Sequence, residues 1–252
     1  MSLDVEDDGT DDHVRPAPPE PAVAERPVLA FVSACLTDDA GMRMQPIDLT
    51  LPGGSLTLVD TADLQHAALI ADAAVGLRLP VAGQILFLGR NWQEVTPLQA
   101  NAMRGRIGHS FARGNWLRGT DMLENILLPQ LYHTRRTHEE LCEDAARLAA
   151  AFGLPGVPLG NPDDVAEGDL LRAACIRAFL GRPRLVVIEH LPRDVLAMIL
   201  EPLINAVRAA RDRDAAVLWL TAERDVWSDP SIPADRWLRL RGGSMHTVTR
   251  FA

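Results

Sequence analysis

The sequence predicts an α/β domain with an antiparallel β flank and a helical insert in its middle. Three observations support this fold class. Short apolar runs typical of strands come first, at residues 28–32, 44–51 and 55–59. Apolar residues then recur at helical spacing through the middle of the chain. The last third alternates helices with short, fully apolar runs, which is the pattern of buried parallel strands.

Turn residues separate these elements and fix their order. Pro52-Gly53-Gly54 marks a turn before the third strand, and an alanine- and leucine-rich helix is predicted at residues 64–77. The later elements are predicted as a strand at 84–88, helices at 122–131, 137–152, 170–180 and 195–211, and buried strands at 184–188 and 215–221. Two glycines between residues 237–240 and 245–248 indicate a closing hairpin.

Composition and charge limit the classes of function. The 252 residues carry a net charge of −9, which argues against nucleic acid as a partner. All 25 basic residues are arginine, so every mechanism that requires a lysine ammonium group is excluded. Residues 1–27 are acidic and proline-rich with few large apolar side chains, and this composition predicts a disordered tail before one domain at 28–252.

The cysteines and the N-terminal residues indicate the cellular compartment of the chain. Cys35, Cys142 and Cys175 are odd in number and far apart, which predicts reduced thiols and no metal site. The acidic start is unlike a secretory signal, and no apolar run approaches the roughly 20 residues needed to span a bilayer. These features predict a soluble, cytoplasmic chain.

Four segments, in order, resemble the ATPase subunits of ATP-binding-cassette (ABC) transporters over roughly residues 28–248. They are residues 80–89 (PVAGQILFLG), 106–111 (RIGHSF), 124–129 (ENILLP) and 172–188 (RAACIRAFLGRPRLVVI). Their shared order over more than 100 residues argues against chance. The resemblance implies a P-loop-NTPase-like ABC ATPase fold with a helical signature subdomain at about 112–182.

The resemblance also implies that the phosphate-binding loop has been lost. Such a loop needs glycines, a lysine and a hydroxyl side chain; the corresponding positions here are Asp60, Asp63, Gln65, His66, Ala67 and Ala68. Each aspartate repels a phosphate about 4 Å away by a few kcal/mol at a dielectric constant of about 20. A neutral His66 does not outweigh that repulsion. We therefore expect no cofactor, neither ATP nor magnesium.

The other nucleotide-contacting positions implied by the resemblance are altered as well. The signature loop falls on Val165, Ala166, Glu167, Gly168 and Asp169. It keeps one glycine but lacks the serine that binds the partner subunit's phosphate. The strand that normally ends in Asp-Glu ends in Glu189-His190, and the switch histidine falls on Ala222. Histidine can act as a general base, but without a phosphate cradle we expect no catalytic residue here.

Residues 112–119 correspond to the region that, in the family, helps to receive a coupling helix from a membrane permease. The candidate partner-binding residues are Arg113, Asn115, Trp116, Leu117 and Arg118. Trp116 is equally well interpreted as ordinary core. The stretch from His133 to His138 is interpreted as a solvated loop in which Thr137 caps the next helix, and not as a metal site.

Three functions remain open from the sequence. The first is a degenerate transporter subunit that does not hydrolyse ATP, lies on the inner face of the membrane and supports a permease, as a homodimer or beside an intact ATPase. The second is a divergent ATPase that binds ATP and magnesium through a rearranged loop. The third is a protein-binding module on the same scaffold without a role in transport.

Overall fold

A computed structural model describes residues 26–249 apart from residue 114. The tail predicted to be disordered lies, up to residue 25, outside the described residues. In chain order the elements are β1 (Leu29–Cys35), β2 (Ile47–Leu51), β3 (Leu56–Thr61), α1 (Leu64–Ala74), β4 (Ala82–Phe87), β5 (Arg90–Asn91), α2 (Pro97–Arg104), β6 (Ile107–Ser110), α3 (Met122–His133), α4 (His138–Ala151), α5 (Glu167–Phe179), β7 (Leu185–Ile188), α6 (Arg193–Arg211), β8 (Ala216–Thr221), α7 (Arg224–Ser228), β9 (Arg236–Arg241) and β10 (Ser244–Thr247).

A four-stranded antiparallel sheet, in the order β2-β1-β4-β5, forms the predicted flank. Strand β2 alternates between buried and exposed residues along its length, as expected for a sheet with one covered face. Strand β1 pairs with β2 on one side and with β4 on the other, and its register shifts near Ser33, whose φ is 44°.

A six-stranded sheet, in the order β10-β9-β3-β8-β7-β6, forms the centre of the fold. All of its pairs are parallel except the β9–β10 hairpin. Strands β7 and β8 are buried along their whole length, so the predicted buried strands are confirmed. The predicted hairpin is confirmed too, but β9 also pairs with β3, which the sequence did not predict.

The two faces of the central sheet are covered by different partners. One face packs against helices α3 to α6 in a core that contains the fully buried Trp219. The opposite face packs against α1, α2 and the antiparallel sheet. In a parallel sheet the carboxyl ends of the strands meet at one edge, so β3, β7 and β8 present their last residues together. The mixed α/β fold with an antiparallel flank is therefore confirmed.

Most predicted elements lie within a few residues of the observed ones. Helix α1 ends at Ala74, where 77 was predicted, and α5 begins at Glu167, where 170 was predicted. Thr137 forms a capping box with Glu140 at the start of α4, as expected from its position. Helices α2 and α7 were missed. Within residues 26–249, leaving out residue 114, no helix is long and apolar enough to cross a membrane.

Candidate functional site

The segment between β3 and α1 lies at the carboxyl edge of the central sheet. Asp63 is the N-cap of α1, and its Oδ1 accepts hydrogen bonds from the backbone N–H groups of Gln65 and His66 at 3.0 and 3.1 Å. Its Oδ2 lies 2.6 Å from Nδ1 of His66. The hydrogen bond from the His66 N–H is the largest of the contacts that hold the pKa of Asp63 below its ordinary value. The carboxylate of Asp63 therefore already occupies the positive end of α1.

The hydrogen bonds of Asp63 determine whether a phosphate fits the loop before α1 in this conformation. A phosphate at a helix N-terminus needs free backbone N–H groups. Here Asp63 binds those of Gln65 and His66 through its carboxylate and that of Ala67 through its carbonyl oxygen, at 3.0 Å. The loop in this conformation does not fit a phosphate group. A phosphate that binds here has to displace the side chain of Asp63.

Asp60, at the carboxyl end of β3, faces a different environment from the one predicted. Its Oδ2 accepts hydrogen bonds from Nε of Arg239 at 2.8 Å and from Nη2 of Arg241 at 3.0 Å. The parallel register pairs Asp60 with Arg239 of β9 and so brings these groups together. Two guanidinium groups thus face this one carboxylate, and the electrostatic expectation drawn from residues 60–68 alone did not include them. Neither arginine was among the predicted site residues.

Glu189 follows β7 and is buried, with 7% of its surface exposed. Its Oε1 lies 2.7 Å from Nε2 of His109, which is in β6, and its Oε2 accepts a hydrogen bond from the Ala112 N–H at 3.2 Å. Both oxygens of Glu189 are thus used inside the protein. The charge of Glu189 also acts on Asp72 in α1, because the pKa of Asp72 is raised by burial and raised further by this charge. His109 was not among the predicted site residues, and no local sequence signal identifies it.

His190, which follows β7, and Ala222, which follows β8, are in contact. The backbone N–H of Ala222 donates to Nδ1 of His190 at 3.4 Å, and Nε2 of His190 lies 3.7 Å from Oε1 of Glu223. The second distance is too long for a well-formed hydrogen bond. His190 is therefore held at the sheet edge with Nδ1 as an acceptor, and the carboxylate of Glu223 is too far from Nε2 to orient the ring closely.

The predicted signature residues form the start of α5. Ala166 is the N-cap but has no side chain that can accept a hydrogen bond. Glu167 and Asp169 lie in the first turn, and Asp169 pairs with Arg172. A methyl group added to Gly168 would meet no atom within 4 Å. The segment from Val165 onward therefore presents carboxylates at a helix start, which stabilises the helix and opposes an incoming anion.

A cavity of about 480 Å³ lies between α2, β6 and α3. Asn115 and Leu117 line it, and the side-chain amide of Asn125 holds Leu117 through both its N–H, at 2.8 Å, and its carbonyl, at 3.1 Å. Four of its apolar lining residues are also substantially exposed: Leu77, Leu117, Leu128 and Tyr132. The ionisable lining groups are the basic or potentially basic Arg104, His109, His133 and Arg177, together with the phenol of Tyr132.

The other predicted partner-binding residues do not line this cavity. Trp116 packs against the helical core, and the guanidinium of Arg177 lies 4.4 Å from its ring centre. Arg118 is exposed and lies 3.8 Å from a carboxylate oxygen of Asp163. Arg113 is exposed. Leu117 and Asn115 are thus the predicted residues that the fold places at the cavity wall.

Comparisons with known proteins give sequence relatives that include ATP-binding proteins of export and lipoprotein-releasing systems. No protein-family model matches the chain. It is 28% identical over 166 residues to the macrolide export ATP-binding/permease protein MacB of Rhodopirellula baltica, covering 65% of this chain and 24% of MacB. It is 24% identical over 203 residues to the lipoprotein-releasing system ATP-binding protein LolD of Psychrobacter arcticus, covering 78% and 86%. With LolD of Idiomarina loihiensis the match spans 64% of the relative's length.

Solved structures share the fold. The dimeric bacterial ABC transporter cassette MJ0796 superposes with a TM-score of 0.73 at 14% identity, over 88% of this chain and all of that one. A post-hydrolysis state of the same cassette, bound to ADP and Pi, gives a TM-score of 0.71 at 15% identity over the same 88% and all of that chain. The expectation of no cofactor is wrong, because the relatives are ATP-binding proteins and this cassette holds a nucleotide. In fold and in sequence, the chain is a relative of the ATP-binding-cassette ATPases of transporters.

Proposed function

We propose that this chain is a nucleotide-binding-domain subunit of an ABC transporter that does not hydrolyse ATP and acts as a structural or regulatory partner of a membrane permease. One observation carries the proposal. Glu189, at the position that would hold magnesium, is buried with both carboxylate oxygens bonded to His109 and to the Ala112 N–H. The next residue, His190, replaces the carboxylate that would polarise an attacking water.

The loop before α1 supports the same proposal. Ala67 and Ala68 have no hydroxyl group for a metal ion, and the side chain of His66 is turned towards Asp63. A hydrolytic site must stabilise the charge that develops on the transferred phosphoryl group. Asp63 lies across the N-terminus of α1, so the backbone N–H groups there do not face a phosphate, and the chain has no lysine to take their place. The fold is kept and the hydrolytic chemistry is lost.

The cavity between α2, β6 and α3 supports the permease as partner. Its exposed apolar residues form a concave apolar surface in a chain of net charge −9, and such surfaces mark sites of protein interaction. We propose that a short permease helix inserts an apolar face there. We propose that the chain lies on the inner face of the membrane, as a homodimer or beside an intact ATPase. We also propose one domain at 28–252, which includes a helical subdomain at about 112–182.

A divergent, active ATPase is the second candidate, and the arginines beside Asp60 favour it. Arg239 and Arg241 bring two positive charges to one carboxylate at the end of β3. If the loop rearranged, these guanidinium groups would remain close enough to the sheet edge to attract phosphates. The two candidates differ in whether ATP is turned over.

Phosphate release from Mg·ATP tests hydrolysis. Ordinary enzymes turn over about 1–1000 times per second, and we expect the purified chain to remain roughly a hundredfold below the lower value. His66→Lys should not change this rate, because Asp63 still caps α1 and no hydroxyl group follows. An intact cassette ATPase in the same assay is the positive control. Turnover in the wild type favours the second candidate, and turnover from His66→Lys alone shows that residues 60–68 are misaligned with the phosphate loop.

Membrane co-purification tests the permease. Leu117→Arg puts a charge into the wall of the cavity, and we expect it to reduce the amount of chain recovered with membranes about tenfold, since burying an unpaired charge costs several kcal/mol. Leu159→Arg is the matched control, because Leu159 is also exposed but does not line the cavity. Equal recovery of the two variants contradicts docking at this cavity.

A further inference from the structure

A cysteine, a histidine and a glutamate lie in contact on the surface of the α3–α4 pair. Sγ of Cys142 is 3.4 Å from Nδ1 of His138, one turn earlier in α4. Nε2 of the same ring is 2.9 Å from Oε1 of Glu124 in α3. Sulfur and imidazole are within hydrogen-bonding reach, and a third group orients the imidazole. This is the arrangement that activates a nucleophile in proteins.

The two contacts together fix the state of the imidazole ring. The carboxylate of Glu124 can only accept, so Nε2 of His138 carries the hydrogen and donates it. In the neutral ring Nδ1 is then the unprotonated nitrogen, and it faces the thiol of Cys142. His138 is thereby set to accept the proton of that thiol, while Glu124 is a positioning residue that holds the ring and stabilises its positive charge.

The other two cysteines lack this arrangement and provide internal comparisons. Cys175 is fully buried in the core, and burial raises the pKa of its thiol to about 12. The sulfur of Cys35 is 3.9 Å from the backbone carbonyl oxygen of Ser33, which accepts a hydrogen bond but is not a base. Cys142 and Cys35 are both partly exposed. A difference in reactivity between them therefore reports the histidine more than access to solvent.

We propose that Cys142 is a reactive thiol and a modification site for low-molecular-weight disulfides. The thiol passes its proton to Nδ1 of His138 as the sulfur attacks one sulfur of the disulfide. A new bond forms between Sγ and that sulfur, the original S–S bond breaks, and the electron pair leaves with the second sulfur. The departing thiolate takes the proton back from His138. The products are a mixed disulfide on Cys142 and one free thiol.

The surroundings leave this site open to a small reagent. About half of the side-chain surface of His138 and of Glu124 is exposed, at 53% and 46%. None of the three residues lines the cavity between α2, β6 and α3, and none belongs to the loop before α1. The proposal is thus independent of hydrolysis and of permease binding, and it stands or fails on thiol chemistry alone.

A competition experiment on the full chain tests this site. The folded protein is treated at neutral pH with less than one equivalent of 4,4′-dithiodipyridine, and the fraction of each cysteine converted is read by peptide mass spectrometry. We expect Cys142 to react at least about tenfold faster than Cys35, which is below the roughly hundredfold or larger effect of a positioned base in an enzyme. His138→Asn should lower the rate at Cys142 about tenfold and leave the rate at Cys35 unchanged.

Variants of the carboxylate separate positioning from structure. Glu124→Gln keeps an oxygen that accepts from Nε2 and should retain most of the rate, whereas Glu124→Ala should lose it. Glu139→Gln, which alters an exposed carboxylate in the same turn as His138, is the control and should have little effect. Conversion of Cys175 marks any variant that has unfolded. If Cys142 reacts no faster than Cys35 in the folded wild type, the proposal is overturned whatever the variants do.

Discussion

Replacing Gly108 with alanine is expected to destabilise the protein more than any other exchange of one glycine for alanine in β6 or α5. Gly108 lies in β6 against the end of α5, and an added Cβ would be 1.8 Å from the carbonyl oxygen of Ala178. A backbone carbonyl cannot rotate away as a side chain does, so the helix or the strand must move. Overpacking of this kind costs about 3 kcal/mol or more.

Urea denaturation followed by circular dichroism measures that loss of unfolding free energy. Gly168→Ala in α5 is the matched control, because its added methyl group meets no atom within 4 Å and alanine favours the helix. We expect that control to stay within about 0.5 kcal/mol of the wild type or to gain stability. A Gly108→Ala variant with an unchanged unfolding midpoint would mean that β6 and α5 do not pack as closely as described.

Local sequence patterns predicted the elements whose signal is continuous in the chain. The runs at 184–188 and 215–221 are apolar except for one terminal residue each, and they form β7 and β8. A strand that is covered on both faces has no side exposed to solvent, so its residues are apolar on both. Helix α2 was missed although Thr96 and Gln99 form a capping box at its start and Pro97 is its first residue. Its signal was present, but only eight residues carry it.

The parts of the site that join distant strands could not be predicted from the sequence. The resemblance gave His190 and Ala222 as separate positions of the nucleotide site, and in the structure these two residues are in contact. It gave no means of pairing Asp60 with Arg239, since the contact depends on β9 lying next to β3, 179 residues away in the chain. Electrostatic arguments from one segment are therefore incomplete until the neighbouring strand is known.

The buried pair of Glu189 and His109 is expected to act as one unit in stability. The two side chains lie 2.7 Å apart and are 9% and 7% exposed, so removing either partner leaves an uncompensated polar or charged group in the core. Breaking such a pair costs about 3–5 kcal/mol. Glu189→Ala and His109→Ala should each lower the unfolding free energy by about that amount, measured by denaturation at constant pH.

The double variant separates this pairing from simple loss of packing. When both partners are removed, neither side chain of the pair is left facing an empty site, and the Ala112 N–H loses its partner only once, as in Glu189→Ala alone. The combined cost should therefore fall short of the sum of the two single costs by about 1–3 kcal/mol. Glu189→Gln, which keeps an acceptor for Nε2, should lose less than Glu189→Ala. Additive single effects would show that the carboxylate is not committed to His109. Glu189 would then be free to hold a metal ion, and the proposed loss of hydrolysis would lose its main support.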